Sequence, residues 1–213
     1  LKGADEFVDA YHDNPDTDFH TMVSEMAKID RKKAKTINLG LFYGMGKGKL
    51  SSELGLTPGE AEDLFEKYHK RVPFVKEMIE RTMKKAADVG HVRTLLGRKC
   101  RFDMWEPSRY GVHKPLPRDE AEREHGKQIK RAFTYKALNK IIQGSAADMT
   151  KKAMVDLHNE GIVPHIQVHD ELDCSFENDM EKDRIIEIMQ NAVKLEVPVK
   201  LDCEEGPSWG EAS

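Results

Sequence analysis

The sequence predicts an α+β protein: a helix-rich part over residues 1–160 and, over 161–213, part of an antiparallel sheet with a helix behind it. Two observations predict this. Apolar residues recur at helical spacing through most of the chain, and between Val163 and Phe176 they switch to alternation. The totals agree. With 213 residues there is enough chain to bury a core, and 38% hydrophobic against 34% charged residues is polar without being disordered.

In chain order, Asp18 to Met26 reads as a short helix with Asp18 or Thr21 near its cap. Asp30 is an N-cap for a helix to about Phe42, ended by Gly44, Gly46 and Gly48. Thr57-Pro58-Gly59-Glu60 joins a capping box to a proline at the first helical position, so a helix runs from there to about Arg71. Pro73 starts the next, stopped by Gly90. His91 to Phe102, with its β-branched residues around Gly97, reads as a small hairpin. The proline-rich stretch Asp103 to Pro117 reads as a loop. A long helical stretch follows from Asp119 to His158, with a break expected at Gly144-Ser145. Val163 to Phe176 reads as two strands meeting at Asp170-Glu171. Asn178 and Glu181 make a second capping box, for a helix to about Leu195, and Val197 to Cys203 reads as a last strand.

No apolar run approaches the roughly 20 residues that cross a membrane, so no membrane role is expected. Leu1 to Tyr11 is acidic and has no signal-peptide layout, and an opening on Leu1 fits a trimmed or partial chain. Cys100, Cys174 and Cys203 stand far apart, which argues against a disulfide framework or a zinc site and fits a reducing cytoplasm. The net charge of −4 is unlike that of a dedicated nucleic-acid wrapper. Local charge differs: Lys28 to Lys35 holds five cations against one acid, and a second basic cluster spans Lys127 to Lys140. Phosphate contacts need local cations, not a basic whole.

Three segments carry chemistry. Arg31, Lys35, Leu39 and Tyr43 are four apart, so on a helix they line one face at about 6 Å per step. Cation, cation, apolar, aromatic suits a nucleoside triphosphate lying along the helix, its phosphates at the cations and its sugar and base beyond. By spacing alone, a surface helix with solvated lysines is the commoner explanation. Gln167-Val168-His169-Asp170-Glu171-Leu172 puts an acidic pair at a hairpin apex, where carboxylates can face magnesium. Asp and Glu are also ordinary turn residues. Tyr135, Asn139 and Gln143 are again four apart, before Gly144-Ser145-Ala146-Ala147-Asp148; amides on one helix face can reach minor-groove acceptors, or can form a polar interface.

Taken together, Arg-x-x-x-Lys-x-x-Asn-x-Gly-x-x-Tyr-Gly, then Asn-x-x-x-Gln-Gly-Ser-Ala-Ala-Asp, then Gln-Val-His-Asp-Glu form an ordered set that resembles the family A DNA polymerases of bacterial repair and phage replication. The resemblance runs from Asp18-Phe19-His20 to Ser208-Trp209-Gly210-Glu211 and includes Thr94-Leu95-Leu96-Gly97-Arg98; the long Asp103–Lys127 stretch looks more phage-like. It implies a right-hand polymerase, with residues 1–160 mainly fingers and connecting helices and 161–213 the C-terminal part of the palm. His20, Arg31 and Lys35 match residues that hold the incoming dNTP, and Lys35 is also matched to the proton donor for pyrophosphate. Tyr43 matches the tyrosine near the templating position, and Leu39 sits where the family usually has Phe or Tyr against the sugar. Asn139 and Gln143 match residues beside the primer–template minor groove, and His169 the histidine at the primer terminus. Asp170 matches a magnesium ligand and Glu171 its neighbouring carboxylate, two Mg2+ ions being expected in a complete enzyme.

Two positions depart from the pattern: Leu39 lacks the ring, and Tyr135 replaces an arginine common in bacterial members. The family's earlier motif, Asp-x-Ser-x-x-Glu-Leu-Arg, does not occur in the sequence. Its place is expected upstream of Leu1, with the thumb and any exonuclease domain earlier still. The implied function is template-directed DNA synthesis from dNTPs on primer–template DNA, in the cytoplasm of a bacterial or phage-infected cell, with the upstream segment as partner. The 213 residues alone are expected to be inactive. Two alternatives are a truncated module that only binds primer–template DNA or nucleotide, and a single-subunit RNA polymerase; the Gln-Val-His-Asp-Glu form argues against the second.

Overall fold

A computed structural model describes every residue except Lys2 and Ser213. The chain forms two compact units: residues 1–7 with 18–144, and residues 8–17 with 145–213.

The first unit is built mainly from helices. α1 (Asp5–Asp13) supplies Phe7 to its core. α2 (Phe19–Ala27) starts where Asp18 accepts from the His20 N–H, so Asp18 and not Thr21 is the cap. α3 (Arg31–Phe42) is capped by Asp30, which accepts from the N–H groups of Lys32 and Lys33. α4 (Lys47–Glu53) follows; the sequence reading placed only helix-ending glycines here, yet Gly48 lies inside the helix and Leu50 is fully buried. Burial of that one leucine outweighs the weak helix propensity of the glycine. α5 (Pro58–Arg71) carries the complete Thr57–Glu60 capping box, and α6 (Pro73–Val89) ends at Gly90 in the left-handed region. The core gathers Val23, Ile37, Leu50, Phe65, Tyr68 and Val75, with the Phe7, Phe19 and Phe74 rings in tilted and edge-on contact.

β1 (His91–Arg93) and β2 (Lys99–Arg101) pair antiparallel in the expected hairpin. The proline-rich stretch is not simply a loop. β3 (Met104–Pro107) pairs with β4 (Leu116–Pro117) and with β5 (Ile129–Arg131), in the order β4-β3-β5. Prolines at strand ends give up no interior ladder bond. The 108–115 loop between β3 and β4 leaves Tyr110 and Val112 fully exposed. The long helix expected from Asp119 stops early: α7 (Arg118–His125) ends at Gly126, which has φ +69°, and β5 follows it.

α8 (Ala137–Asn159) runs on without the break expected at Gly144-Ser145. Gly144 is there for proximity, not flexibility: a Cβ on it would lie 2.7 Å from Thr94 Cγ2. The second unit takes the rest of α8, with Leu157 fully buried. It adds β6 (Ile166–Val168), β7 (Glu171–Asp173) and α9 (Asp179–Asn191), capped by Asn178 on the Glu181 N–H. The Glu181 carboxylate accepts from the Glu177 N–H, not from Asn178. Val197 to Cys203 forms no strand. Its apolar residues alternate, but no neighbouring strand among the described residues satisfies its backbone.

Candidate nucleotide and DNA interface

α3 sorts its residues by face. Ala34, Ile37, Asn38 and Gly40 are buried, whereas Arg31, Lys35 and Leu39, with Tyr43 just past the helix end, are exposed. The four predicted positions therefore share an open face. Leu39 is 39% and Tyr43 51% exposed, so an aliphatic and an aromatic side chain face water beside two cations.

Arg31 and Tyr43 are held by side-chain partners. Arg31 is engaged from within: its Nε donates to Asp18 Oδ2 at 2.8 Å and to Thr21 Oγ1 at 3.1 Å, and its Nη2 also pairs with Asp18. This guanidinium holds the Asp18 carboxyl well below the usual carboxylate range. Lys35 forms no ion pair among the described residues. His20, half-buried on α2, meets Asn38 through its Nδ1 at 2.9 Å. Burial lowers the basicity of its ring; Lys35 and Arg31 push the same way, and Asp18 opposes them.

Tyr43 meets the second predicted segment. Gln143 on α8 donates through Nε2 to the Tyr43 hydroxyl at 2.9 Å. Next to it, Gly44 has φ +71°, and a Cβ there would stand 2.5 Å from the Tyr135 carbonyl oxygen. The end of α3 and the start of α8 thus press together through Tyr43, Gly44, Tyr135 and Gln143. Asn139 lies one turn before Gln143, half-buried; Tyr135 sits in a short 3-10 turn just before α8. The Thr94–Arg98 turn docks on the same helix, with Arg98 Nη2 donating to the Gly144 carbonyl at 2.9 Å.

Much of the second basic cluster is committed to structure. Arg131 donates to the Phe102 and Ala87 carbonyls and stacks on Trp105, with its guanidinium carbon 4.5 Å from the ring centre. Lys130 pairs with Glu106.

In the second unit, Val168 pairs with Glu171, so His169 and Asp170 form the two-residue turn and Glu171 already stands in the strand. His169 has φ +53°, left-handed and rare outside glycine, and its carbonyl accepts from Gln167 Nε2 at 2.8 Å. His169, Asp170 and Glu171 are all exposed. Carboxylate oxygens are the donors magnesium prefers, and it takes one or two of them together with substrate phosphates. The pair fits that demand, although no group of three or more His, Cys, Asp or Glu side chains among the described residues could cage an ion.

The sequence reading missed Asp18 as the partner of Arg31, and Asn38 and Tyr68 behind His20. Asn38 had a signal: an amide on the buried face of α3, at i+4 from Ala34.

An exposed cation-to-aromatic face on α3 thus meets an amide-bearing face of α8 through the Tyr43–Gln143 hydrogen bond. The family model for DNA polymerase family A matches residues 3–211, and the chain belongs to that family. It is 34% identical to a DNA-directed DNA polymerase of Pseudomonas phage M6, over 97% of this chain and 33% of that protein. It is also 34% identical to DNA polymerase I of Bacillus subtilis strain 168, over 91% of this chain and 21% of that protein. The POL domain of Pol1 from M. smegmatis, solved in complex with DNA primer-template and dNTP, superposes with a TM-score of 0.69 at 28% identity, over 91% of this chain and 34% of that one. The chain thus spans a third or less of the length of these curated relatives. No helix among the described residues is long and apolar enough to cross a membrane.

Proposed function

We propose that the chain forms the fingers (residues 1–160) and the C-terminal part of the palm (161–213) of an enzyme that copies DNA, transferring a nucleotidyl group from a dNTP to a primer 3′-hydroxyl. The observation that carries this reading is the open face of α3: a packed helix that keeps two cations, an aliphatic residue and a tyrosine in solvent, in the order of a triphosphate, sugar and base. Family membership and the structural neighbour's bound primer-template and dNTP support it.

In the reaction the primer 3′-oxygen bonds to the α-phosphorus and the bond to the bridging α,β-oxygen breaks, releasing pyrophosphate. His20, Arg31 and Lys35 bind the triphosphate, and Lys35 gives its proton to the departing pyrophosphate. Leu39 lies against the sugar and Tyr43 beside the templating position. Asn139 and Gln143 contact the primer–template minor groove, and His169 the primer terminus. Asp170, with Glu171 beside it, would hold magnesium, which when bound supplies charge neutralisation and activation of the primer hydroxyl. The second carboxylate would come from a segment with the Asp-x-Ser-x-x-Glu-Leu-Arg pattern, which these 213 residues do not contain. The setting we assign is the cytoplasm of a bacterial or phage-infected cell.

Primer extension by a polymerase that includes this chain tests the reading. Template-dependent incorporation of dNTPs over NTPs is expected. Preference for NTPs supports an RNA polymerase instead, and DNA binding without incorporation supports a binding module.

A further inference from the structure

We propose that Tyr68 and Asn38 fix the tautomer of His20, so that its Nε2 carries the proton and is presented as a donor to an incoming triphosphate. The donor's purpose rests on the nucleotide reading above; the tautomer does not.

Tyr68, on α5, and Asn38, on α3, are both fully buried. The Tyr68 hydroxyl lies 2.6 Å from Asn38 Oδ1, and Asn38 Nδ2 lies 2.9 Å from His20 Nδ1. Burial raises the Tyr68 pKa, so the phenol keeps its proton and can donate it. A primary amide donates only through nitrogen and accepts only through oxygen. The short O···O contact suits an O–H donor facing the amide oxygen, and the longer N···N contact suits an amide N–H facing a ring nitrogen. Turning the amide over would leave the buried phenol proton without this acceptor, a state that folded proteins avoid. With the amide set, Nδ1 must accept. A neutral imidazole that accepts at Nδ1 carries its proton on Nε2.

The charged groups acting on this ring are Asp18, at the start of its own helix, and Arg31 and Lys35 on α3. Burial and the two cations favour the neutral ring, and Asp18 opposes them. Without the relay a neutral His20 could equally put its lone pair on Nε2 and repel a phosphate oxygen. The buried pair removes that alternative.

The test is the nitrogen spectrum of 15N-histidine-labelled protein, with His20 identified among the nine histidines by His20→Gln. A pyridine-like Nδ1 and a pyrrole-like Nε2 are expected. In Asn38→Asp the carboxylate accepts from both neighbours; the ring proton should move to Nδ1 and the ring become more basic. Binding of magnesium-dATP should then strengthen as pH falls through the new His20 pKa, a dependence weaker in the wild type. Tyr68→Phe leaves the amide free to turn, and a mixture of tautomers with about fivefold weaker magnesium-dATP binding is expected. The wild-type spectrum needs no variant, so a poorly folding Asn38→Asp leaves the test intact. A protonated Nδ1 in the wild type, or an unchanged tautomer in both folded variants, overturns the proposal. The expected tautomer together with unchanged magnesium-dATP affinity in His20→Gln leaves the relay standing and overturns the nucleotide role of His20 instead.

Discussion

Lys35 and Arg31 are one helical turn apart, but only Arg31 is engaged by an internal carboxylate, that of Asp18. Lys35 is therefore the cation with least to give up when a phosphate arrives. In a polymerase containing the chain, Lys35→Ala should lower nucleotide incorporation about a hundredfold or more, as loss of a proton donor does, with primer–template affinity little changed. Single-turnover incorporation beside a DNA titration reads both, and parallel loss of DNA binding would show that the lysine serves DNA. Asp170 is an exposed turn residue, so Asp170→Asn should move thermal stability by no more than about 0.5 kcal/mol while abolishing extension. Near-normal extension by that variant leaves only a turn. Leu39 offers the sugar a flexible aliphatic surface; Leu39→Tyr and Leu39→Phe should shift the ratio of dideoxy to deoxy incorporation by different amounts, and an unmoved ratio means that the residue does not face the sugar.

Local chemistry explains why α3 was readable from end to end. Asp30 caps it and Gly44 closes it, and both signals are short-range. The predicted face proved to be the exposed one because residues four apart share a face whatever surrounds the helix. Its partners were not readable. Asp18 lies thirteen residues from Arg31, and Tyr68 thirty from Asn38, so only the tertiary fold joins them. The same reason accounts for α4, rescued by burial of Leu50, and for β3 and β4, which pair with each other while β3 also pairs with the distant β5. The Gly44 contact gives a test at this scale. Gly44→Ala combines a left-handed backbone with a Cβ 2.5 Å from the Tyr135 carbonyl, and should destabilise the protein by more than about 1 kcal/mol. Thermal melts of the variant measure it; a change within error would mean that the end of α3 is free to move away from Tyr135.

Among the described residues no group of three or more His, Cys, Asp or Glu side chains could hold a metal ion, and the β6–β7 hairpin leaves Ile166 and Val168 43% and 37% exposed. Purified 1–213 in magnesium and dNTPs should therefore extend no primer above an Asp170→Asn blank, and should self-associate through the open edges of that hairpin. Extension above the blank would mean that another of its carboxylates completes the site. Elsewhere the fold opens itself to a different reagent. Between β3 and β4 the chain passes through a segment whose Tyr110 and Val112 side chains touch almost nothing, a condition that suits a protease cleft. Brief exposure to chymotrypsin should sever the backbone after Tyr110 first. Antiparallel pairing of β3 with β4 would hold the two fragments together, so the nick would show on a denaturing gel and not in a sizing column. The same stretch is a natural place to splice in an epitope or a fluorophore without disturbing α3.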